Sequence, residues 1–153
     1  MRNFLSLFII AVFMTFSALT SYGQSNQKPA LNHIAQYVVN LKVSTDFYID
    51  VIGLDTIPEP FHDGRHTWFS IGQKSHLHLI QGASEKSEHN KNSHVCFTVA
   101  SVEFFTIGLK KNNIEYENWA GEKNSITARV DGVKQIYFRD PDGYWIEIND
   151  AKE

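Results

Sequence analysis

Cysteine is almost missing from this sequence: Cys96 is the single one in 153 residues. No intramolecular disulfide can form, so the fold must be held by its core. No cysteine stands near the end of the N-terminal apolar segment either, which excludes the usual bacterial lipoprotein attachment. Positive charge is also sparse. Fourteen Lys and Arg against 17 Asp and Glu give a formal net charge of −3, and no basic run exceeds the pair Lys110-Lys111. Proteins that bind a duplex carry a basic stripe, so nucleic acid is excluded as a partner. With 42% hydrophobic, 13% aromatic and 20% charged residues, what remains is an ordinary globular composition, neither disordered nor fibrous.

One long apolar run stands apart from the rest. Phe4 to Phe16 holds eleven apolar residues out of thirteen, Arg2 is the only charge before Lys28, and small residues lead to Gly23. A positive head, an apolar centre and small residues at the end make a secretory signal peptide over residues 1–23, with cleavage before Gln24. Residues 24–30 then read as a linker. This predicts an exported protein, periplasmic or extracellular, with no membrane partner after cleavage. An uncleaved anchor is the rival reading, since the run falls only slightly short of the ~17–25 residues that span a bilayer.

The rest of the chain repeats itself. Leu31-Asn32-His33-Ile34 opens a β-rich run followed by a helical pattern at 44–52, and Asn92-Ser93-His94-Val95 opens a second followed by a helical pattern at 101–112. Histidine is the third residue of each opening, and Ser44 and Ser101 stand where N-caps belong. Strand-like stretches follow at 54–57, 66–72 and 75–81, then at 114–118, 125–130, 134–139 and 144–149. The last two are joined by the turn Asp140-Pro141-Asp142-Gly143. The spacing predicts one domain at 31–150, with module 1 at about 31–82 and module 2 at about 92–150. A unit of ~60 residues buries too little surface alone, so the two are expected to share a sheet. The fold class is α+β: paired βαβββ modules forming a cup-shaped mixed sheet with helices outside.

Strand alternation sorts the polar side chains. His33 shares a face with Ala35 and Tyr37, His94 with Cys96 and Thr98, His76 with His78, and Glu147 with Trp145. Across the repeat His33 matches His94, and His78 in Leu77-His78-Leu79 matches Glu147 in Ile146-Glu147-Ile148. A pseudo-twofold axis would bring all four to one point. Three imidazoles and a carboxylate suit one divalent metal such as Fe, Ni, Co, Mn or Zn. Taken singly, each histidine reads more readily as a hydrogen-bonded core or rim residue than as a ligand, and Glu147 as a solvent-facing one; it is their repeat-related positions that point to a metal. His76 reads as a supporting or solvated residue, and His62, His66 and His89 as surface residues in loops. Cys96 reads as a small core filler. Trp68, Trp119 and Trp145 are candidates for the rim of a substrate pocket, against plain core packing.

These segments resemble the vicinal oxygen chelate superfamily, which includes glyoxalase I, fosfomycin-modifying enzymes, bleomycin-resistance proteins and extradiol dioxygenases. The resemblance runs over about residues 31–149. It is carried by Leu31-Asn32-His33, the segment Asp46 to Leu54, Ser93-His94-Val95, and Phe138-Arg139-Asp140-Pro141-Asp142-Gly143 leading to Ile146-Glu147-Ile148. It implies paired βαβββ modules around one divalent metal, with His33, His78, His94 and Glu147 on the four ligand positions. At the second position this chain has His78, where glyoxalase I carries a glutamate. The resemblance further implies a small-molecule substrate bound through two neighbouring oxygens, Glu147 as general base, and a lyase or isomerase reaction. An extradiol-type dioxygenase and a non-catalytic drug-binding protein are the alternatives. Small members often form homodimers that share the site, so a homodimer is the implied assembly.

Overall fold

A computed structural model of the chain describes residues 28–152. The expected signal peptide at 1–23, its cleavage site and the first residues of the expected linker at 24–30 lie outside the described residues. Among the described residues no helix is long and apolar enough to cross a membrane.

Two βαβββ modules follow one another. The first consists of β1 (His33–Val38), α1 (Leu41–Phe47) continued by a π turn (Tyr48–Ile52), β2 (Thr56–Ile57), β3 (His66–Ser70) and β4 (His76–Gln81). The second consists of β5 (His94–Thr98), α2 (Val102–Lys111), β6 (Thr127–Ala128), β7 (Lys134–Arg139) and β8 (Trp145–Asn149). The sheets repeat the same order, β1-β4-β3-β2 and β5-β8-β7-β6, with the first pair of each parallel and the others antiparallel. The paired βαβββ architecture expected from the sequence is therefore present.

Three local expectations are corrected. Helix α1 begins three residues before Ser44: Asn40 is the N-cap, and its side chain accepts from Val43 N at 3.1 Å. Ser44 lies inside the helix, where its hydroxyl is claimed by Asp142 Oδ2 at 2.5 Å from the other module. The helix then widens into the π turn and stops at Gly53, whose φ of 85° glycine adopts without a steric penalty. The stretch 114–118 is not a strand and contributes only bridges from Glu117 to Lys123 and Tyr137. Helix α2 does start as its spacing predicts, with Ser101 accepting from Phe104 N at 3.2 Å.

Nor do the modules share one hydrogen-bonded sheet. β1 is an edge strand whose outer side is capped by the β7–β8 turn: Tyr37 N donates to Tyr144 Oη at 3.0 Å and Val39 N to Asp142 Oδ1 at 2.7 Å. These side chains occupy the backbone groups that a further strand would need. At the same turn the linker passes so close to Gly143 that any Cβ there would collide with the carbonyl oxygen of Ser87.

The core is common to both modules. Tyr48, Phe69, Leu77 and Leu79 of the first join Leu109, Ile136, Phe138, Ile146 and Ile148 of the second in one buried cluster. Each such side chain contributes about 1.5–3 kcal/mol by leaving water. Tyr48 Oη lies within hydrogen-bonding distance of Gln36 Oε1 (2.7 Å) and Asp140 Oδ2 (2.9 Å), which ties the polar end of this core together. Leu77, Leu79, Ile146 and Ile148 face inward, so alternation turns His76, His78, Trp145 and Glu147 to the opposite, open faces of the sheets.

Candidate metal centre

On the second sheet, the parallel register of β5 and β8 sets Cys96 opposite Glu147, and the β7–β8 hairpin sets Tyr137 opposite it on the other side. Glu147 is buried and its carboxylate is fully engaged. Oε2 lies 2.7 Å from the Tyr137 hydroxyl and 3.0 Å from His94 Nε2, and Oε1 accepts from Asn149 Nδ2 at 3.0 Å. Burial opposes ionisation here. The bonds from Tyr137, Asn149 and Cys96, with the charge of His94, outweigh it and hold the carboxyl below its ordinary range. The same contacts act in reverse on the neighbours. Burial and then the Glu147 carboxylate push the Cys96 thiol up to about 12 and raise the Tyr137 phenol.

The orientation of His94 follows from its other nitrogen. Nδ1 lies 2.7 Å from the Lys91 carbonyl oxygen, an acceptor, so Nδ1 carries the hydrogen and Nε2 is turned toward Glu147. The 3.0 Å separation of His94 Nε2 and Glu147 Oε2 suits two adjacent ligand atoms, each about 2.0–2.2 Å from one ion.

The first sheet presents the other pair. His33 and His78 lie on one face with ring centroids 6.0 Å apart. His33 Nδ1 is 2.8 Å from Asn32 Oδ1, which again leaves Nε2 free. His78 is buried against the indole of Trp68 at 4.3 Å, and its Nε2 has no hydrogen-bond partner among the described residues. Burial, then the charges of His66 and His33, lowers the His78 pKa, so the ring is neutral at pH 7 and able to donate a lone pair. An orphaned imidazole nitrogen, two rings held at Nδ1 by oxygen acceptors and an engaged carboxylate are the donor set a divalent metal takes. These residues fit the group.

Within one chain the four residues stand as two pairs, His33 with His78 and His94 with Glu147. Among the described residues, no three His, Cys, Asp or Glu side chains gather tightly enough to hold an ion. The pseudo-twofold relation therefore gives each sheet two ligand positions and does not bring all four to one point in the chain.

The other candidates divide. His76 is half-buried beside Trp68, and Trp145 is buried between the Lys91 ammonium, 5.0 Å from its ring centre, and the Arg139 guanidinium at 4.6 Å. Trp119 is exposed, edge-on to Tyr137 at 5.6 Å. His62 is a surface residue, as its loop setting predicts. His66 is not: it opens β3, its side chain is 13% exposed, its Nδ1 is held by Asp63 Oδ1 at 2.7 Å, and its ring lies 5.0 Å from His78. The sequence carries the signal for this, because alternation from Trp68 puts His66 on the same face. His89 is half-buried too, stacked on Tyr144 at 4.1 Å. Tyr137 escapes the sequence reading, although counting back across the Asp140–Gly143 turn sets it opposite Glu147. Cys96 is exposed rather than a core filler.

A cavity of about 390 Å³ opens beside His94 and Trp145 and reaches Ala35 of β1. Another of about 270 Å³ lies between Tyr137, Trp145 and Glu117. Both border the second sheet's open face, and both are sized for small ligands.

Comparison with known proteins agrees with this fold. The family model of the glyoxalase/bleomycin resistance protein/dioxygenase superfamily matches residues 30–148. The chain is 26% identical over 126 residues to the metallothiol transferase FosB of Staphylococcus epidermidis, covering 78% of this chain and 81% of that protein. It is also 26% identical over 162 residues to a lactoylglutathione lyase of Pseudomonas aeruginosa, covering 82% and 84%. Among solved structures, a glyoxalase family protein from Bacillus anthracis superimposes with a TM-score of 0.64 at 26% identity, covering 83% of this chain and 98% of that one.

Proposed function

The chain belongs to the glyoxalase/bleomycin resistance protein/dioxygenase superfamily, and from that premise we propose that it is an exported, metal-dependent lyase or isomerase. Its substrate is a small molecule with two neighbouring oxygens. The assembly is a homodimer in which His33 and His78 of one subunit complete a ligand set with His94 and Glu147 of the partner subunit. The observation that carries this reading is the division of a complementary donor set into two pairs on separate sheets, with the buried His78 Nε2 left unpartnered. An isologous dimer places the first sheet of one copy against the second sheet of the other, twice. Export rests on the N-terminal apolar segment alone.

A divalent ion in such a site supplies Lewis acidity to the substrate's oxygens. The chain's own residues do the rest. Glu147, held ionised by the Tyr137 hydroxyl, takes a proton from the carbon next to a substrate carbonyl and returns it to the neighbouring position. Asn149, bonded to Oε1, fixes the carboxylate plane. The Lys91 carbonyl keeps His94 in one tautomer. Trp145 and Trp119 border the open face and keep water from the reacting carbon.

Metal content by elemental mass spectrometry tests the proposal, with Glu147→Ala and His94→Ala measured beside the parent. Near one equivalent of a transition metal, lost in both variants, supports it. A parent that takes up no metal after supplementation overturns it and leaves a small-molecule binding protein. An oxygen-using dioxygenase is the second reading, favoured by the two imidazoles and one carboxylate of His33, His94 and Glu147. Bound iron with oxygen consumption would select it.

A further inference from the structure

The open face of the first sheet holds two buried polar atoms that the proposed metal site does not use. Trp68 Nε1 and His76 Nδ1 are shielded from solvent and have no hydrogen-bond partner among the described residues. They are neighbours. The two ring centroids are 5.8 Å apart, and the Trp68 ring also lies 4.3 Å from His78 and 5.3 Å from His33. The β3–β4 register, with Trp68 opposite His78 and Ser70 opposite His76, sets both on the face that carries the ligand pair.

Buried polar groups are almost always satisfied, and two orphans side by side call for a partner. The chemistry of that partner is constrained. An indole N–H only donates, so Trp68 requires an acceptor. An acceptor shared with His76 selects the tautomer of that ring with its hydrogen on Nδ1. No acceptor of the described residues lies within bonding distance of either nitrogen, and β1, β3 and β4 contain no Asp or Glu. The carboxylates that approach this face are already engaged, Asp63 with Arg65 N and His66 and Glu59 with Phe61 N and His62 N. The two nitrogens are thus left for an external acceptor, and a charged oxygen makes the stronger bond.

We propose that Trp68 Nε1 and His76 Nδ1 form a subsite for an oxyanion of the substrate, a carboxylate or phosphonate oxygen lying beyond the two neighbouring oxygens of the proposed chelate. The substrate is thus a small acid whose charged group sets its orientation on the first sheet. This inference rests on the proposed function for the nature of the reaction, but the subsite is observable without it.

The test follows the three indole N–H resonances of the ¹⁵N-labelled protein, with the Trp68 signal assigned by its loss in Trp68→Phe. Oxalate and phosphonoformate are titrated separately into chelator-treated protein and into protein supplemented with metal, and metal content is measured on the same samples. The subsite predicts that the Trp68 resonance moves downfield with at least one acid in both forms. The acid that moves it at lower concentration identifies a planar carboxylate or a tetrahedral phosphonate as the preferred group. His76→Phe then raises the midpoint about tenfold, as loss of one hydrogen bond to a charged acceptor would. A Trp68 shift in protein that takes up no metal supports the subsite while overturning the metal reading. Metal uptake with a stationary Trp68 signal for both acids overturns the subsite and leaves the metal reading standing.

Discussion

Tyr137 places its hydroxyl 2.7 Å from Glu147 Oε2, directly across the β7–β8 hairpin. The pairing gives the buried carboxylate a donor that neither moves with solvent nor depends on a ligand. Of the partners on Glu147, it is the one that offsets burial most strongly in keeping the group ionised.

Removing that hydroxyl is therefore informative. Tyr137→Phe keeps the ring packing against Trp119 and His94 but leaves Oε2 one donor short. The Glu147 carboxyl rises toward its ordinary range, so protonation begins at higher pH and metal affinity in mildly acidic buffer falls. At pH 6 the carboxyl is still ionised, and the expected loss of about 10–100-fold comes from its lost orientation; the loss widens as pH falls toward the ordinary carboxyl range. Competition with a fluorescent chelator measures it. Equal affinities for the variant and the parent would show that the phenol plays no part in holding the carboxylate.

Asp140 carries a different pH dependence. Burial, only partly offset by its bonds from Tyr48, Tyr144 and Asp142, pushes its carboxyl up from 3.8 to about 6. Because the folded value is the higher one, the native state holds the proton more firmly than the unfolded chain. The stability this contributes is complete below the unfolded value and is lost as pH rises through about 6. Asp140→Asn removes that slope. Urea unfolding at pH 4 to 7 should show the parent losing up to about 3 kcal/mol relative to the variant. Parallel pH profiles for the two proteins would contradict it.

Much of this arrangement is legible in the amino-acid order alone. The two module openings, the Asp140–Gly143 turn and strand alternation place His33, His78, His94 and Glu147 on the open faces. What stays hidden depends on partners far away in sequence. Ser44 looks like an N-cap because Ser commonly caps, but its hydroxyl is engaged by Asp142, 98 residues later, and Asn40 takes the capping role. The separation of the sheets is not readable either, since it comes from Tyr144 and Asp142 covering the edge of β1. Lys91 gives no signal, because its place over Tyr137 and Trp145 depends on how the linker folds back. His66 is readable, as its alternation with Trp68 shows.

Cys96 illustrates the reach of the Glu147 charge. With its thiol pushed up to about 12 by burial and by that carboxylate, it stays neutral at pH 8 despite its exposure. Alkylation by iodoacetamide in metal-free protein should run at least about 100-fold slower than in the denatured chain. Glu147→Gln should speed it. A native rate matching the denatured one would show that the carboxylate does not act on the sulfur.

Mixed dimers test most directly whether the two ligand pairs of different subunits meet. One chain carries His33→Ala and His78→Ala, the other His94→Ala and Glu147→Ala, and the two are co-expressed with different tags and purified by both. Each double variant alone should hold no metal. In the mixed dimer one site regains all four ligands and the other has none, so elemental analysis should find about one ion per two chains. A mixed dimer without metal, beside a parent that binds it, would contradict a shared site.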